Sequence, residues 1–172
     1  MSAQAQLTET TLQAEDGMDQ YLTFILAGED YGVDILKVQE IKGWEGVTPM
    51  PNMPESILGI INLRGTVVPV IDLRKHFNME SATFDTTTVV IVVKISDEEH
   101  NERTMGMVVD AVSEVHNIAK TDLKPAPDFG GAVDTDSVKG LVTVDEQMII
   151  MLDIDHLMKN GVIEALDSSL TQ

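Results

Sequence analysis

Cysteine is missing altogether from these 172 residues, and positive charge is scarce, with 11 Lys and Arg against 29 Asp and Glu. Aromatics are few as well: one Trp, two Tyr and four Phe. Each absence excludes something. Without Cys there is no disulfide framework, no thiolate zinc site, no iron–sulfur cluster and no Cys nucleophile. A net charge of −18 opposes nucleic-acid binding, which draws its affinity from Lys and Arg neutralising phosphates. No stretch reaches the about 20 apolar residues of a membrane-spanning helix, and the first 17 residues combine acids with no basic or apolar run, unlike a secretory or transit signal. The expectation is a cytoplasmic chain without direct membrane insertion. A hydrophobic content of 43% is that of a folded globular protein, and the length suits one domain or two small ones.

Residues 1–17 are polar and acidic and read as a flexible arm; residues 160–172 read as a C-terminal tail. Between them, short runs of Val, Ile and Leu are broken by Gly, Pro, Asn and Asp, the pattern of a mainly β protein. An internal repeat organises these runs. Tyr31-Gly-Val-Asp-Ile-Leu-Lys-Val-Gln-Glu-Ile41 lies without a gap over Met105-Gly-Met-Val-Val-Asp-Ala-Val-Ser-Glu-Val115, pairing Gly32 with Gly106, Val38 with Val112 and Glu40 with Glu114. Further on, the stretch Gly59–Leu73 lies over Gly140–Ile154, pairing Asp72 with Asp153. The repeats run from 18–80 and from 86–159. Each is expected to hold five short strands and one short helix, with Asp72 and Asp153 capping the helices. So small a sheet hides its edges by closing. The fold class is therefore mainly β: two small five-stranded barrels, SH3- or OB-like, side by side. The segment Ile35 to Ile41 fits a helix face as well as a strand.

Enzyme signatures are missing: there is no Gly-x-x-x-x-Gly-Lys, His-Glu-x-x-His, Gly-x-Ser-x-Gly or Gly-x-Gly-x-x-Gly. The nearest approach to a metal site, Asp153-x-Asp155-His156, reads better as a helix cap with solvated neighbours, and no cofactor, metal or catalytic residue is expected. The hairpin Asn62-Leu63-Arg64-Gly65 stands out instead. Gly65 allows a tight turn that pushes Arg64 to the tip, and the matching position in the second repeat is an acid, Asp145. Arg64 is thus a candidate directional anchor for a partner's carboxylate or carbonyls. Ile35, Val38 and Ile41 and the copies Val112 and Val115 read mostly as core, but the apolar seam where the repeats meet would give a groove suited to a partner's amphipathic helix, with Glu40 at its polar rim.

The string Gly59-Ile-Ile-Asn-Leu-Arg-Gly-Thr-Val-Val-Pro-Val-Ile-Asp-Leu-Arg74, preceded by Tyr31-Gly-Val-Asp-Ile-Leu-Lys-Val-Gln-Glu-Ile-Lys-Gly43, closely resembles the CheW family of bacterial chemotaxis coupling proteins. Gly106–Val115 and Lys124-Pro-Ala-Pro127 add to the likeness, which covers about residues 20–160 as a single CheW-like domain. The resemblance implies a non-enzymatic adaptor linking the cytoplasmic tips of methyl-accepting chemotaxis receptors to the regulatory domain of the histidine kinase CheA, in receptor arrays. It implies two five-stranded barrels whose strands can be exchanged between the copies. It also implies interface roles for Val38 and Glu40, for Arg64 at its hairpin tip and for Val112, and it matches Gly59 to a position where bulk disrupts coupling. The acidic stretch Asp97–Arg103 departs from the family's common pattern. The alternative is a small-ligand-binding or catalytic double barrel, which would need convergent polar groups that the sequence does not display.

Overall fold

The computed structural model describes residues 18–77, 79, 83–96, 102–126 and 135–159. The expected N-terminal arm and C-terminal tail, most of the acidic stretch 97–103, and Pro127 lie outside the described residues. Ten strands run in order: β1 (Met18–Leu26), β2 (Glu29–Asp34), β3 (Val38–Gly43), β4 (Ile57–Leu63), β5 (Thr66–Asp72), β6 (Val89–Ser96), β7 (Glu102–Val109), β8 (Ala111–Ala119), β9 (Val138–Val144) and β10 (Gln147–Leu152). Two short helices follow β5 and β10, α1 (Leu73–His76) and α2 (Ile154–Lys159). Both begin at the expected Asp: Asp72 accepts from the N–H of Arg74 and Asp153 from that of His156. The ambiguous segment after β2 divides into one 3-10 turn, Ile35–Lys37, and then β3.

The strands form two five-stranded sheets, ordered β8-β1-β2-β10-β9 and β3-β6-β7-β5-β4. Under the repeat, β1 to β5 correspond to β6 to β10. Each sheet therefore joins the first two strands of one repeat to the last three of the other, in the same order. The repeats 18–80 and 86–159 are interleaved in space. Two pairings join the repeats in each sheet, one antiparallel (β1–β8 and β3–β6) and one parallel (β2–β10 and β5–β7); the pairs within a repeat are antiparallel.

The matched glycines make the parallel joins possible. Gly32 faces Met151 in the first parallel pair and Gly106 faces Val70 in the second. A Cβ on Gly32 would overlap the Met151 sulfur, and one on Gly106 would stand 2.9 Å from Cγ1 of Val90. Gly59 and Gly140 serve the other edge. In each sheet the chain beyond the outermost strand bends back to the opposite edge: Thr48 exchanges two hydrogen bonds of 2.9 Å with Ile60, and Lys124 two of 2.8 Å with Leu141. A Cβ on Gly59 would fall on the Thr48 carbonyl, and one on Gly140 would lie 2.8 Å from the Lys124 carbonyl oxygen. Among the described residues, each barrel is thus closed by a single bridge over a bare glycine rather than by a full ladder.

Alternation in the strands sorts the apolar side chains into three cores. Tyr21, Ile118, Val142, Ile149 and Met151 fill the first barrel; Val70, Val90, Val92 and Val108 fill the second. The largest core lies between the sheets, where Leu22, Phe24, Tyr31 and Leu152 of one meet Ile71, Ile91, Val93 and Met107 of the other.

One buried ion pair crosses this assembly. The Arg74 guanidinium, fully buried, meets both oxygens of Asp72 at 2.9 and 3.0 Å and Oδ1 of Asp110 at 2.7 Å. Asp110, between β7 and β8, also accepts from the N–H of Ala27 at 2.8 Å. Burial works against the arginine's charge, but the two carboxylates outweigh it and hold the group more firmly protonated than usual.

Substituting Gly59 by Ala is expected to cost about 1–3 kcal/mol or more, because the clash is with backbone that cannot swing away. Gly43 has open space around its Cα, so Gly43→Ala is the control, expected within about 0.5 kcal/mol of the parent. Urea denaturation of the two variants checks the difference.

Candidate functional site

The tip of the β4–β5 hairpin is a two-residue turn in which Arg64 and Gly65 both have positive φ, 52° and 87°, the type I′ geometry that matches strand twist. The Asn62 side chain accepts from the Gly65 N–H at 2.8 Å and fixes the turn. The Asn-x-Arg-Gly spacing thus has a mechanical reason, and it leaves the Arg64 side chain 71% exposed, as expected.

Arg64 does not stand alone there. Both terminal nitrogens donate to Oε1 of Glu40 on β3, Nη1 at 2.7 Å and Nη2 closer still. Because β3 and β4 are the two edges of their sheet, this ion pair ties together the mouth of the second barrel beyond the Thr48–Ile60 bridge. The pair borders a groove of about 470 Å³ lined by Gln39, Glu40, Leu63, Arg64, Thr66, Val68 and Thr104. Thr104 comes from β7, so the groove exists only through the strand exchange.

Val38, two residues before Glu40, faces elsewhere. The ladder between β3 and β6 pairs Val38 with Val93 and Glu40 with Val92, so Gln39 is an extra residue, a β-bulge. Without the bulge, residues 38 and 40 would share a face. With it, Val38 packs half-buried on the core between the sheets while Glu40 meets Arg64 at the barrel mouth. A matching irregularity recurs in β8, where Ser113 and Glu114, between Val112 and Val115, oppose the single residue Thr23 of β1. There the buried Thr23 hydroxyl donates to the Glu114 carbonyl at 2.8 Å and accepts from its N–H at 3.1 Å. Val112, like Val38, packs half-buried against the central core.

Of the five residues singled out from the sequence, the fold therefore joins Glu40 and Arg64 directly. It sets Val38 two residues away on another face, Val112 on the other sheet, and Gly59 at the barrel closure; none of these three lines the groove. Two residues of the expected seam are exposed apolar side chains: Ile41 at 43% and its repeat mate Val115 at 48%. Each is paired in register with a residue of the central core, Ile91 and Leu22 respectively, so both mark rims of the seam between the barrels.

The mouth of the first barrel differs in charge. The repeat mates of Glu40 and Arg64 are Glu114 and Asp145, which cannot pair with each other, and Glu114 lies 3.2 Å from His116 instead. The Asp153-x-Asp155-His156 cluster is accounted for within the fold, with Asp153 capping α2 and Asp155 bound to Lys37. Among the described residues no group of three or more His, Asp or Glu is placed to hold a metal ion, and no helix is long and apolar enough to cross a membrane.

Comparison with known proteins fits this arrangement. The CheW-like domain family matches residues 20–161. The chain belongs to that family. It is 39% identical to the chemotaxis protein CheW of Klebsiella aerogenes over 94% of both chains, and 30% identical to that of Rhizobium meliloti over 92% of this chain and 99% of the other. The crystal structure of the scaffolding protein TtCheW from Thermoanaerobacter tengcongensis superposes with a TM-score of 0.73 at 36% identity, covering 83% of this chain and 90% of that one. This CheW-like chain is a chemotaxis adaptor, built on a duplicated, strand-exchanged β fold.

Arg64→Ala is expected to leave the fold intact and shift stability by no more than about 1 kcal/mol, since an ion pair with one partner so exposed contributes little. Val38→Asp is expected to cost more, about 1–3 kcal/mol, because it sets a carboxylate against the central core. Thermal melts followed by circular dichroism rank the two.

Proposed function

We propose that this chain couples methyl-accepting chemotaxis receptors to the histidine kinase CheA, acting in the cytoplasm at receptor arrays and catalysing nothing itself. The observation that carries the reading is the Glu40–Arg64 pair, present at one barrel mouth and replaced by two acids at the other. A coupler must hold two different proteins at once and so needs two unlike surfaces; the repeat supplies two similar barrels and the charge difference makes them unlike.

Receptor tips are helical hairpins, and an amphipathic helix reads an apolar seam with a polar rim. Val38 and Ile41 on β3, and Val112 and Val115 on β8, supply apolar side chains along the seam. Glu40 and Arg64 supply the rim. Arg64 is exposed yet already aimed by Glu40, so a docking partner loses little rotamer freedom in capturing it. As the partner excludes water, the same guanidinium gains electrostatic strength. Around it the net charge of −18 repels stray acidic chains and keeps unassembled copies apart. Gly59 contributes indirectly: bulk there opens the barrel whose mouth carries Arg64.

The test is reconstitution of CheA autophosphorylation with receptor fragments, with and without this protein. Stimulation that requires the chain is expected, and Arg64→Glu, facing Glu40 with a like charge, is expected to reduce ternary complex formation about tenfold while the protein stays folded. No stimulation by the parent protein would overturn the coupling role; undiminished complex formation by Arg64→Glu would remove Arg64 from the surface.

A further inference from the structure

The second residue of each helix makes an ion pair to the junction where a β2-type strand turns toward a β3-type strand, and the two pairs have opposite polarity. In α1 the cation is on the helix: Arg74 reaches Asp110, in the junction between β7 and β8. In α2 the carboxylate is on the helix: Asp155 reaches Lys37, in the junction between β2 and β3, at 2.8 Å. Each pair also fastens a neighbouring strand end through its carboxylate. Asp110 accepts from the N–H of Ala27, just past β1, and Asp155 accepts from the N–H of Ser96, the last residue of β6, at 2.9 Å. These are one device built twice, a clasp joining a helix, a junction and a strand end.

The clasps differ at the cation. Arg74 is fully buried and held by two carboxylates, of which Asp110 is 32% exposed, whereas in the other clasp both Lys37 and Asp155 are exposed in part, at 32% and 29%. The half-exposed clasp is also the one beside the coupling surface. Lys37 is the last residue of the 3-10 turn, and Val38 follows as the first residue of β3, with the bulge at Gln39 and the rim residue Glu40 next. The turn's other end is tied too, because Asp34 accepts from the N–H of Leu36 at 2.9 Å. Asp155 thus grips the start of β3 and the end of its ladder partner β6 with one carboxylate, at the place where the bulge decides which way Val38 and Glu40 face.

We propose that Lys37 and Asp155 are positioning residues for the coupling surface, holding the bulged start of β3 so that Val38 faces the seam and Glu40 faces Arg64. This rests on the coupling reading given above. The clasp acts on the surface through the backbone and touches no partner itself. Exposure of both its charges makes it more sensitive to salt than the Arg74 clasp, whose cation is buried.

Amide hydrogen exchange on the free protein, paired with receptor-fragment binding, tests the proposal. Lys37→Met and Asp155→Asn are each expected to speed exchange across β3 about three- to fivefold, with β8 unchanged, and to weaken fragment binding by a similar factor. The double variant is expected to be no worse than either single one, Lys37→Arg to restore both readouts, and high salt to erase the differences. Lys94→Met, which removes the same charge from an exposed pair with Glu102, is the control expected to change neither. Unaltered exchange in β3, or additive effects in the double variant, would overturn the clasp whatever the partner does. Global unfolding of both single variants, with exchange rising equally in β8, would also overturn it, by making the pair merely structural. A parent protein that binds no receptor fragment, while β3 exchange still responds, would instead overturn the coupling reading and leave the clasp in place.

Discussion

The first two strands of each repeat lie in one sheet with the last three strands of the other, and the rest of the molecule depends on that exchange. It is made at four pairings, antiparallel β1–β8 and β3–β6 and parallel β2–β10 and β5–β7, and each parallel one lies beside a glycine whose missing side chain lets neighbouring side chains close over it. The exchange gives the two sheets a common core larger than the core of either barrel. Neither barrel is complete without the other repeat, so the pair has to fold as one cooperative unit. The groove beside Arg64 shows the same dependence, since its walls come from β3, β4 and β5 of one repeat and β7 of the other.

Much of this was legible in the residues. The duplication showed in the ungapped matches of Gly32 with Gly106 and Asp72 with Asp153, and both aspartates cap helices as their chemistry requires. The exposed tip carrying Arg64 followed from Gly65. The exchange did not follow from pattern, because a β2 strand presents the same edge to its own β5 or to its mate; only the resemblance to a known family raised it. The bulge at Gln39 was hidden too, since one extra residue on a strand leaves no compositional mark while reversing the faces of Val38 and Glu40. The buried clasp of Arg74 was missed for a related reason. Asp72, two residues before it, reads in the sequence only as a cap, and its other partner Asp110 lies 36 residues away.

A symmetric scaffold carrying asymmetric charge is the theme that joins fold to function. Repeat mates occupy matching places, yet Glu40 and Arg64 become Glu114 and Asp145, and the helix cation Arg74 becomes the carboxylate Asp155. Backbone geometry is thereby shared while the two ends present different chemistry, which is what an adaptor with two unlike partners requires. The acidic background that first served to set nucleic acid aside also makes Arg64 a distinctive feature of the surface.

Mutual dependence of the interleaved repeats is tested most directly by separating them. Produced as two fragments, residues 1–82 and 83–172, each is expected to lack a cooperative thermal transition alone, and an equimolar mixture to recover native circular dichroism and a single melt. A fragment that melts cooperatively by itself would contradict the account, because the strands it needs from the other repeat would then be dispensable.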